Sequence, residues 1–498
     1  MLLLRVLYIF ATIWLSIYGF NAFVLIVLYW RHRKQRVETP AMAHFPPVTV
    51  QLPLYNEKYV ARRAIDALAR LDWPREKLQI QVLDDSTDET TEIAHQCIKE
   101  YREKGLDIVM VHRSCRAGFK AGALNAAMEA ARGEFVAIFD ADFCPPPDFL
   151  SRTVPHLAAD AELGFVQARW GHLNDRFSAL TLAQAVALDG HFVVEHVARQ
   201  RSGLLTNFSG TGGVWRRACI EACGGWRPEM LTEDIDLSYR AQLAGWKGLV
   251  LPGVVAPAEL PVQITAFKRQ QFRWAKGNIQ CFLRQTNLLI GSSLSLWAKL
   301  QGLIHLSYYL AHPLMVFVML CMLPLIWLGP VASWSLAFLS LATLGPPLLY
   351  LVAQRDAYPD WRARLRALPV LIALGTGMAL NSTVAIIEAF LGVRTAFLRT
   401  PKFQVEGKRR DWQPGTYLLV PDRLVWGEIS MAIYACLTVW AALVRGNGWV
   451  IPFVLLYVLG FGYVGLLGVL EAWGHAGRWA RRRTAEAGKR RLVPFSEP

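Results

Sequence analysis

An apolar stretch near the start of the chain constrains the fold more than any other feature. Residues 4–30 (LRVLYIFATIWLSIYGFNAFVLIVLYW) are long enough to cross a bilayer, and the basic run RHRKQR follows them at 31–36. A cleaved signal peptide carries its charge before a shorter apolar region, so this pattern indicates a retained anchor over residues 1–36. Because Lys and Arg are retained in the cytoplasm, we expect residue 1 outside the cell and the following residues inside.

Apolar segments return in the second half of the chain. We expect transmembrane helices at 305–328, 332–353, 427–444 and 449–472. The segment 366–391 is also apolar, but it contains Asn381 and Glu388. If it crossed, the basic loop after it would be external, against the tendency of basic loops to stay inside. We therefore expect four spans and one interfacial helix within 296–476, which with the N-terminal anchor makes five spans rather than six. The loop 394–425 and the basic tail 477–498 are then cytoplasmic.

Composition supports the membrane assignment and excludes several classes of function. Hydrophobic residues make up 53% of the 498 residues, and the net charge of +14 collects beside the apolar segments, so we do not expect a nucleic-acid partner. The eight cysteines form no CxxC pair and no zinc-type spacing, which indicates reduced thiols in contact with the cytosol. The chain has no Walker motif, and the glycine-rich string SGTGGVW at 209–215 does not fit the GxGxxG pattern.

The segment 45–290 has the pattern of a soluble α/β domain. Apolar runs at 48–54, 79–83, 108–112 and 135–139 alternate with helix-like stretches near 60–71, 90–104 and 120–131. This alternation predicts a mainly parallel, doubly wound sheet with helices on both faces. Ligands of such sheets bind at the carboxyl ends of the strands.

Polar clusters follow three of the predicted strands. Tyr55-Asn56-Glu57, Asp84-Asp85 and the pair Asp140/Asp142 all fall at the carboxyl edge of the sheet. Two aspartates one residue apart can offer oxygens to a divalent cation that binds a diphosphate. A strand-end turn is the structural alternative for each cluster, because Asp is common there. Three clusters at one edge favour a binding site.

Further candidate residues lie at the starts of predicted helices and on one amphipathic helix. Lys120 begins a helix, where the dipole disfavours a cation, so a bound phosphate or nucleotide explains it better. Glu233 and Asp234 precede another helix, where ordinary capping is an equal alternative. Gln270, Arg273 and Trp274 lie within KRQQFRWAKGN at 268–278. A guanidinium can bind a diphosphate and an indole can stack on a sugar, whereas an interfacial helix is the structural alternative.

Eight motifs occur in a recognisable order along the chain: YNE, LDDSTD, KAGALN, DAD, VQARW, FSGTGG, TED and QQFRW. This series, followed by membrane segments, resembles the inverting family-2 glycosyltransferases of the cellulose synthase type, including the cellulose-synthase-like mannan and glucan synthases. The likeness covers about residues 45–290. It implies a GT-A domain inserted between transmembrane helices and a requirement for Mg²⁺ or Mn²⁺.

The resemblance also implies roles for individual residues. It implies that the nucleotide-sugar donor is bound by Tyr55, Glu57, Asp84, Asp85, Lys120, Asp140, Gln270 and Arg273. Asp140 and Asp142 would hold the metal, Asp234 would be the general base beside Glu233, and the acceptor would contact Trp274, Phe208 and Gly210. FLRTPKF at 397–403 is similar to the family's gating loop through Thr400 and Lys402, although Arg399 stands where an apolar residue is common.

The function we expect is a processive β-glycan synthase of the cell membrane with a cytoplasmic catalytic domain. It would elongate a polysaccharide from UDP-glucose, with GDP-mannose as the second possibility, and export the product through its own membrane segment, with or without accessory subunits. One alternative is a single-transfer glucosyltransferase that acts on ceramide or diacylglycerol. The other is a non-catalytic export or scaffold protein, which the complete set of site residues disfavours.

Overall fold

The computed structural model describes residues 2–35, 37–328, 334–395, 397–407 and 417–491. Three of the basic residues that we assign to the cytoplasmic loop, Lys408, Arg409 and Arg410, lie outside these ranges. So do residues 492–498 of the predicted tail, and the side chains of 475–491 are likewise not described.

A seven-stranded sheet forms the centre of the domain, in the order β3-β2-β1-β4-β6-β5-β7. Neighbouring strands run parallel except β6, which is antiparallel to both β4 and β5. The strands are β1 Val48–Leu54, β2 Leu78–Asp84, β3 Ile108–His112, β4 Phe135–Ile138, β5 Leu163–His172, β6 Gly213–Arg216 and β7 Lys247–Ala258. The mainly parallel α/β fold predicted from the sequence is confirmed.

Helices cover both faces of the sheet and continue into a membrane-type bundle. Those of the domain are α2 Ala61–Leu68, α3 Thr90–Glu103, α4 Phe119–Met128, α5 Phe149–Ala159, α6 Ala179–Asp189, α7 His196–Arg201, α8 Arg217–Ala222, α9 Glu233–Leu243 and α10 Ile264–Gly291. The others are α1 Leu2–His32, α11 Leu296–Ser307, α12 Ala311–Leu328, α13 Gly345–Ala357, α14 Trp361–Arg364, α15 Leu368–Gly377, α16 Ala379–Phe390, α17 Leu424–Val444 and α18 Ile451–Arg491.

The central strands are buried on both faces, which explains why their sequences are continuous apolar runs rather than alternating ones. Every residue of β2 is buried, and so is nearly every residue of β1. The polar exceptions bond to one another: the amide of Gln51 donates to Gln81 at 3.0 Å, and the amide of Gln81 donates to the carbonyl of Ala127 at 3.1 Å. These hydrogen bonds give both amide nitrogens a partner and so lower the cost of burying the two side chains.

Within the described residues, five helical stretches are long and apolar enough to cross a bilayer: Leu2–His32, Leu296–Leu328, Trp361–Phe390, Leu424–Val444 and Gly448–Gly474. Their number matches the prediction, but the set differs. Residues 361–390 are included, and the predicted span 332–353 is not. The described part of that span begins at Trp334 and consists of a 3₁₀ segment, Trp334–Leu344, followed by the short helix α13. This segment lies against α1, because Gly19 contacts Ala342 and Gly345 closely.

Contacts at the two ends of 361–390 favour an interfacial position for it. At one end Arg364 contacts Asp175 at 2.5 Å and Asp189 at 3.4 Å, both on the α/β domain. At the other end Glu388 pairs with Lys276 of α10 at 2.6 Å. A helix that crossed the bilayer would have its ends on opposite sides, whereas both ends here contact the catalytic domain. The interfacial assignment stays a prediction.

We expect residue 408 to face the cytoplasm, because the basic loop follows a segment that does not cross. In intact cells that express a cysteine-free background, Lys408→Cys should resist a membrane-impermeant maleimide until the cells are permeabilised. The matched variant Asn447→Cys, in the short connection between α17 and α18, should react in intact cells. Labelling of residue 408 from outside would contradict this topology.

Candidate active site

The carboxyl ends of β2, β1 and β4 lie side by side, so the polar clusters that follow them form one continuous edge. Tyr55 and Glu57 follow β1, Asp85 follows β2, and Asp140 and Asp142 follow β4. All five line one cavity of about 530 Å³. The sheet order therefore confirms that residues distant in sequence meet at this edge.

Each aspartate of the pair at the end of β4 is bound by a lysine. Lys120 Nζ lies 2.5 Å from Asp140 Oδ1 and donates to the carbonyl of Gly210 at 2.9 Å. Lys402 Nζ lies 2.6 Å from Asp142 Oδ2. Burial lowers the pKa of Lys120, but the charges of Asp140 and Glu233 outweigh it and leave this pKa above its ordinary value. The negative charge here is strong enough to hold two buried ammonium groups.

The same two carboxylates fit a hard divalent cation. Their oxygens are the ligand type that Mg²⁺ and Mn²⁺ prefer, and such ions usually take one or two protein carboxylates and complete their shell with phosphate oxygens and water. Within the described residues no group of three or more His, Cys, Asp or Glu side chains could hold a metal. The site therefore suits an ion that arrives with a diphosphate rather than a cage built by protein alone.

One end of this edge is lined by arginine side chains and an aromatic ring. The guanidinium of Arg116 lies 3.5 Å from the centre of the Tyr55 ring, and Arg113 binds both oxygens of Asp85, at 2.7 and 2.5 Å. Asp84 does not reach the cavity, contrary to the prediction. It is fully buried and accepts hydrogen bonds from Thr91, at 2.7 Å, and from the amide of Ser86. Asp84 thus holds the turn that orients Asp85.

The motif TED places Glu233 and Asp234 at the first turn of α9, where both line the cavity. Burial, and then the nearby charge of Glu233, raise the pKa of Asp234 to about 7. Burial also raises the pKa of Glu233. Gly210 faces this carboxylate with φ +79°, and a Cβ atom there would lie 3.0 Å from Asp234 Oδ2. Asp234 therefore has the proton affinity of a general base that works near neutral pH.

The amphipathic helix α10 contributes Gln270, Arg273 and Trp274 to the cavity, as predicted. Arg273 donates to the carbonyl of Leu398 at 3.3 Å and lies 4.3 Å from the ring centre of Phe397. Burial lowers the pKa of the Arg273 guanidinium, which the surrounding carboxylates oppose. The indole of Trp274 lies 6.5 Å from that of Trp170. Cationic and aromatic groups are thus adjacent in the cavity.

Phe208 lies in the core of the domain rather than in the cavity. It is 1% exposed and packs against Phe165 and Trp215, with ring centres 6.2 and 5.3 Å away. The prediction that Phe208 contacts the acceptor is wrong at the level of the side chain, because the first residue of FSGTGG faces the sheet. Gly210, two residues later, does line the cavity.

The gating-like segment crosses the donor end of the cavity. Arg399 Nη1 lies 2.8 Å from Glu57 Oε2, and Lys402 also donates to the carbonyl of Glu259. Burial raises the pKa of Glu57 to about 8, and the charge of Arg399 opposes this. Thr400 and Lys402 line the cavity and are almost fully buried. In this arrangement both basic residues of the segment contact acidic residues that follow the strands, Arg399 with Glu57 and Lys402 with Asp142.

The cavity extends from the catalytic residues into the helical bundle. At one end it is lined by Asp140, Asp234 and Arg273, and at the other by residues of the transmembrane-type helices. The second group is Tyr18, Asn21, Tyr308, Tyr309, His312, Leu349, Tyr350, Leu371 and Met378. The arrangement connects a charged site to a space among membrane helices that is lined by aromatic and polar side chains.

Three residues of the site were not among the predicted ones: Arg113, Arg116 and Trp170. The loop HRSCRAGFK before Lys120 contains both arginines, and this concentration of basic residues next to Asp84-Asp85 could have indicated them. Trp170 ends the VQARW motif, and its ring packs 5.3 Å from Phe143. Trp170 lies near the carboxyl end of β5, and its place in the VQARW motif was the available signal.

Comparison with known proteins agrees with the fold. Residues 46–277 match the family described as "Glycosyltransferase like family 2". The chain is 34% identical over 434 residues to the probable glucomannan 4-beta-mannosyltransferase 11 of Arabidopsis thaliana, which covers 82% of this chain and 97% of that protein. It is 39% identical over 321 residues to the probable glucomannan 4-beta-mannosyltransferase 7 of Oryza sativa subsp. japonica. That match covers 62% of this chain, and the chain spans about half, 54%, of the rice protein.

A solved structure shares the fold at lower sequence similarity. The mannosyltransferase PcManGT from Pyrobaculum calidifontis, in complex with GDP-Man and Mn²⁺, aligns with a TM-score of 0.51 and 22% identity. The alignment covers 78% of this chain and 100% of that one. At this level of identity the match supports the GT-A architecture alone.

Proposed function

We propose the following function from the premise that the chain belongs to glycosyltransferase family 2. The protein is an inverting, processive synthase that elongates a β-linked polysaccharide at a membrane. The observation that carries this proposal is the continuous cavity from Asp234 and Arg273 to the aromatic residues of the bundle. An enzyme that releases a product after one transfer does not need such a path. A growing chain does, because it must leave the site without dissociating.

The donor we propose is GDP-mannose. The sequence alone favoured UDP-glucose, and nothing in the structure supports that preference. The names of the plant relatives, which specify mannosyl transfer, favour mannose. Arg113 and Asp85 at the end of β2, with Tyr55 under Arg116, are the residues positioned to contact the base and ribose of the nucleotide.

The chemistry follows from the charges in the cavity. Inversion needs one base on the acceptor side of the anomeric carbon, so Asp234 accepts the proton of the attacking hydroxyl while the bond to the diphosphate breaks. Arg273 and Lys120 place positive charge where the departing diphosphate gathers negative charge. Asp140 and Asp142 would hold a divalent ion, which would supply further charge stabilisation for the same leaving group. Trp274 provides a flat surface for the terminal acceptor sugar.

The product from purified protein tests this function. We expect radiolabelled GDP-mannose, added to protein in detergent or vesicles, to give a polymer that is insoluble in organic solvent and digested by β-mannanase. A parallel reaction with UDP-glucose should incorporate less label. A product of one fixed size that dissolves in organic solvent would support lipid glycosylation instead, and no incorporation from either donor would support a scaffold.

We expect transfer to require Mg²⁺ or Mn²⁺, because the diphosphate binds through the ion. Asp142→Asn should weaken the binding of Mn²⁺ in the presence of GDP at least about tenfold. Even the loss of a residue that only hydrogen-bonds to a metal ligand lowers metal affinity by about that factor. Electron paramagnetic resonance of free Mn²⁺ measures this without turnover. Asp148→Asn, an exposed carboxylate paired with Arg152, is the control. Full activity in excess EDTA would refute the metal requirement.

A further inference from the structure

A buried charged cluster lies in the cavity beyond Trp274 and has no part in the transfer chemistry. Its centre is Glu195, whose side chain is 23% exposed. His191 Nδ1 lies 3.0 Å from Glu195 Oε2, and Arg199 Nε donates to Glu195 Oε1 at 3.0 Å. His305 Nε2 lies 4.0 Å from the same Oε1. All four side chains line the cavity.

The backbone that carries Glu195 is unusual. Residues Gly190–Glu195 form a π-helical segment between α6 and α7. Such segments occur mostly as isolated insertions in helices and frequently mark functional sites, because the wider turn changes where the side chains point. Here His191 and Glu195, four residues apart, point to the same cavity. Gly190 allows the segment to pack closely on Tyr350, since a Cβ atom would lie 2.6 Å from that ring.

The carboxylate of Glu195 is ionised. Burial raises its pKa, but the hydrogen bond from His191 and the charge of Arg199 outweigh burial and hold this pKa well below its ordinary value. His305 uses its other ring nitrogen in a 2.6 Å hydrogen bond with Tyr239, which fixes the ring beside Glu195. The separation of 4.0 Å between His305 and Glu195 is too long for a hydrogen bond, so both groups can bond to a ligand hydroxyl.

Aromatic rings extend from Trp274 to this cluster. The Trp274 and Trp170 rings are 6.5 Å apart, and Phe192, next to His191, lies 5.1 Å from Trp170. Tyr308 lines the cavity on the side of the membrane helices. Flat apolar faces beside a charged hydrogen-bond acceptor match a pyranose, which has apolar faces and hydroxyls around its edge.

We propose that Glu195, positioned by His191 and Arg199, is the centre of a second acceptor subsite that binds a hydroxyl of an internal sugar of the nascent β-glycan. The subsite rests on the proposed function, since it needs a polymeric product. It retains the chain after each transfer, because a sugar held at Glu195 keeps the new end near Trp274. Glu195 is therefore a residue that sets product length rather than a catalytic residue.

The test measures chain length and donor kinetics of Glu195→Gln with GDP-mannose. Mean length reflects the rate of transfer relative to the rate of release, and a hydrogen bond to a charged group contributes enough to change release about tenfold. We expect products about tenfold shorter, while the KM for the donor stays within about twofold of wild type. Glu221→Gln, on an exposed turn of α8, is the matched control and should leave length unchanged.

Products of wild-type length from Glu195→Gln would overturn the subsite, and so would an increase in donor KM that parallels the loss of length. Binding of GDP reports whether the variant is folded, since the substitution leaves Arg199 without its ion pair. If it is not folded, His191→Asn decides, because it removes one hydrogen bond and keeps the charge pair; we expect it to shorten the products about threefold. A lipid product of fixed size from wild type would instead refute the proposed function itself.

Discussion

Asp234→Asn should lower kcat by about 10²- to 10⁴-fold, the contribution typical of a positioned general base. The amide keeps the shape of the carboxylate beside Gly210, but it cannot accept the proton of the attacking hydroxyl. Donor binding should persist, because Lys120, Arg273 and the aspartate pair of β4 are unchanged. Radiolabel incorporation gives kcat, and isothermal titration with GDP gives donor-site affinity.

The pH dependence of the wild-type enzyme is a second measurement of the role of Asp234. The base acts in its deprotonated form, and the pKa of Asp234 is raised to about 7, so kcat/KM of the wild type should rise with pH through an apparent pKa near 7. Because Glu233 interacts with Asp234, the apparent value belongs to the pair. Glu233→Gln is the control and should lose less activity. If Glu233→Gln lost more activity than Asp234→Asn, Glu233 would be the base instead. Near-normal turnover of Asp234→Asn would refute the expected loss of kcat and the assignment of Asp234 as the base.

Much of the site was predictable from the sequence because strand ends are predictable. Short apolar runs bounded by polar residues locate the carboxyl ends of β1, β2 and β4, and parallel pairing brings those ends together. Tyr55, Asp85 and Asp140 follow from this rule alone. Trp274 and Arg273 follow from an unusual string on an amphipathic helix, where spacing specifies the face.

The errors come from side-chain direction and from tertiary packing, neither of which is local. Adjacent residues at a strand end point to opposite sides, so Asp85 enters the cavity and Asp84 does not. Phe208 was assigned by its motif, but it lies in the core. Glu195 was missed because His305 of α11 comes beside it only after the helices pack.

The membrane segments show the same limit. Composition alone makes 361–390 as good a span as any other helix of the bundle, because hydropathy does not depend on contacts. The ion pairs of Arg364 and Glu388 with the α/β domain favour an interfacial segment over a crossing one, which stays a prediction. The polar residues Asn381 and Glu388 and the basic loop that follows them were the hints in the sequence. Asn381 donates to the carbonyl of Lys268 on α10 at 3.1 Å.

Arg273→Ala should lower kcat by about 10²- to 10³-fold, the usual effect of removing a group that stabilises developing negative charge. The guanidinium lines the cavity at the end where we propose that the diphosphate binds, and the nearby carboxylates oppose the effect of burial on its pKa. Because the diphosphate is charged before transfer as well as during it, donor KM should also rise. Arg273→Lys should recover part of the loss, since it restores charge without the bidentate geometry.

Two variants on the same helix separate this effect from damage to α10. Arg284→Ala removes an exposed arginine that pairs with Glu229 at 2.8 Å, so it should leave kcat and donor KM unchanged. Trp274→Ala should reduce elongation while donor KM stays near wild type, because the indole contacts the acceptor sugar rather than the diphosphate. If Arg273→Ala and Trp274→Ala changed donor KM equally, the cavity would not be divided between donor and acceptor along α10. Arg273 and Trp274 are adjacent in QQFRW, and they act on different substrates only if the guanidinium and the indole point to different parts of the cavity. The ratio of the donor KM of Arg273→Ala to that of Trp274→Ala measures this division.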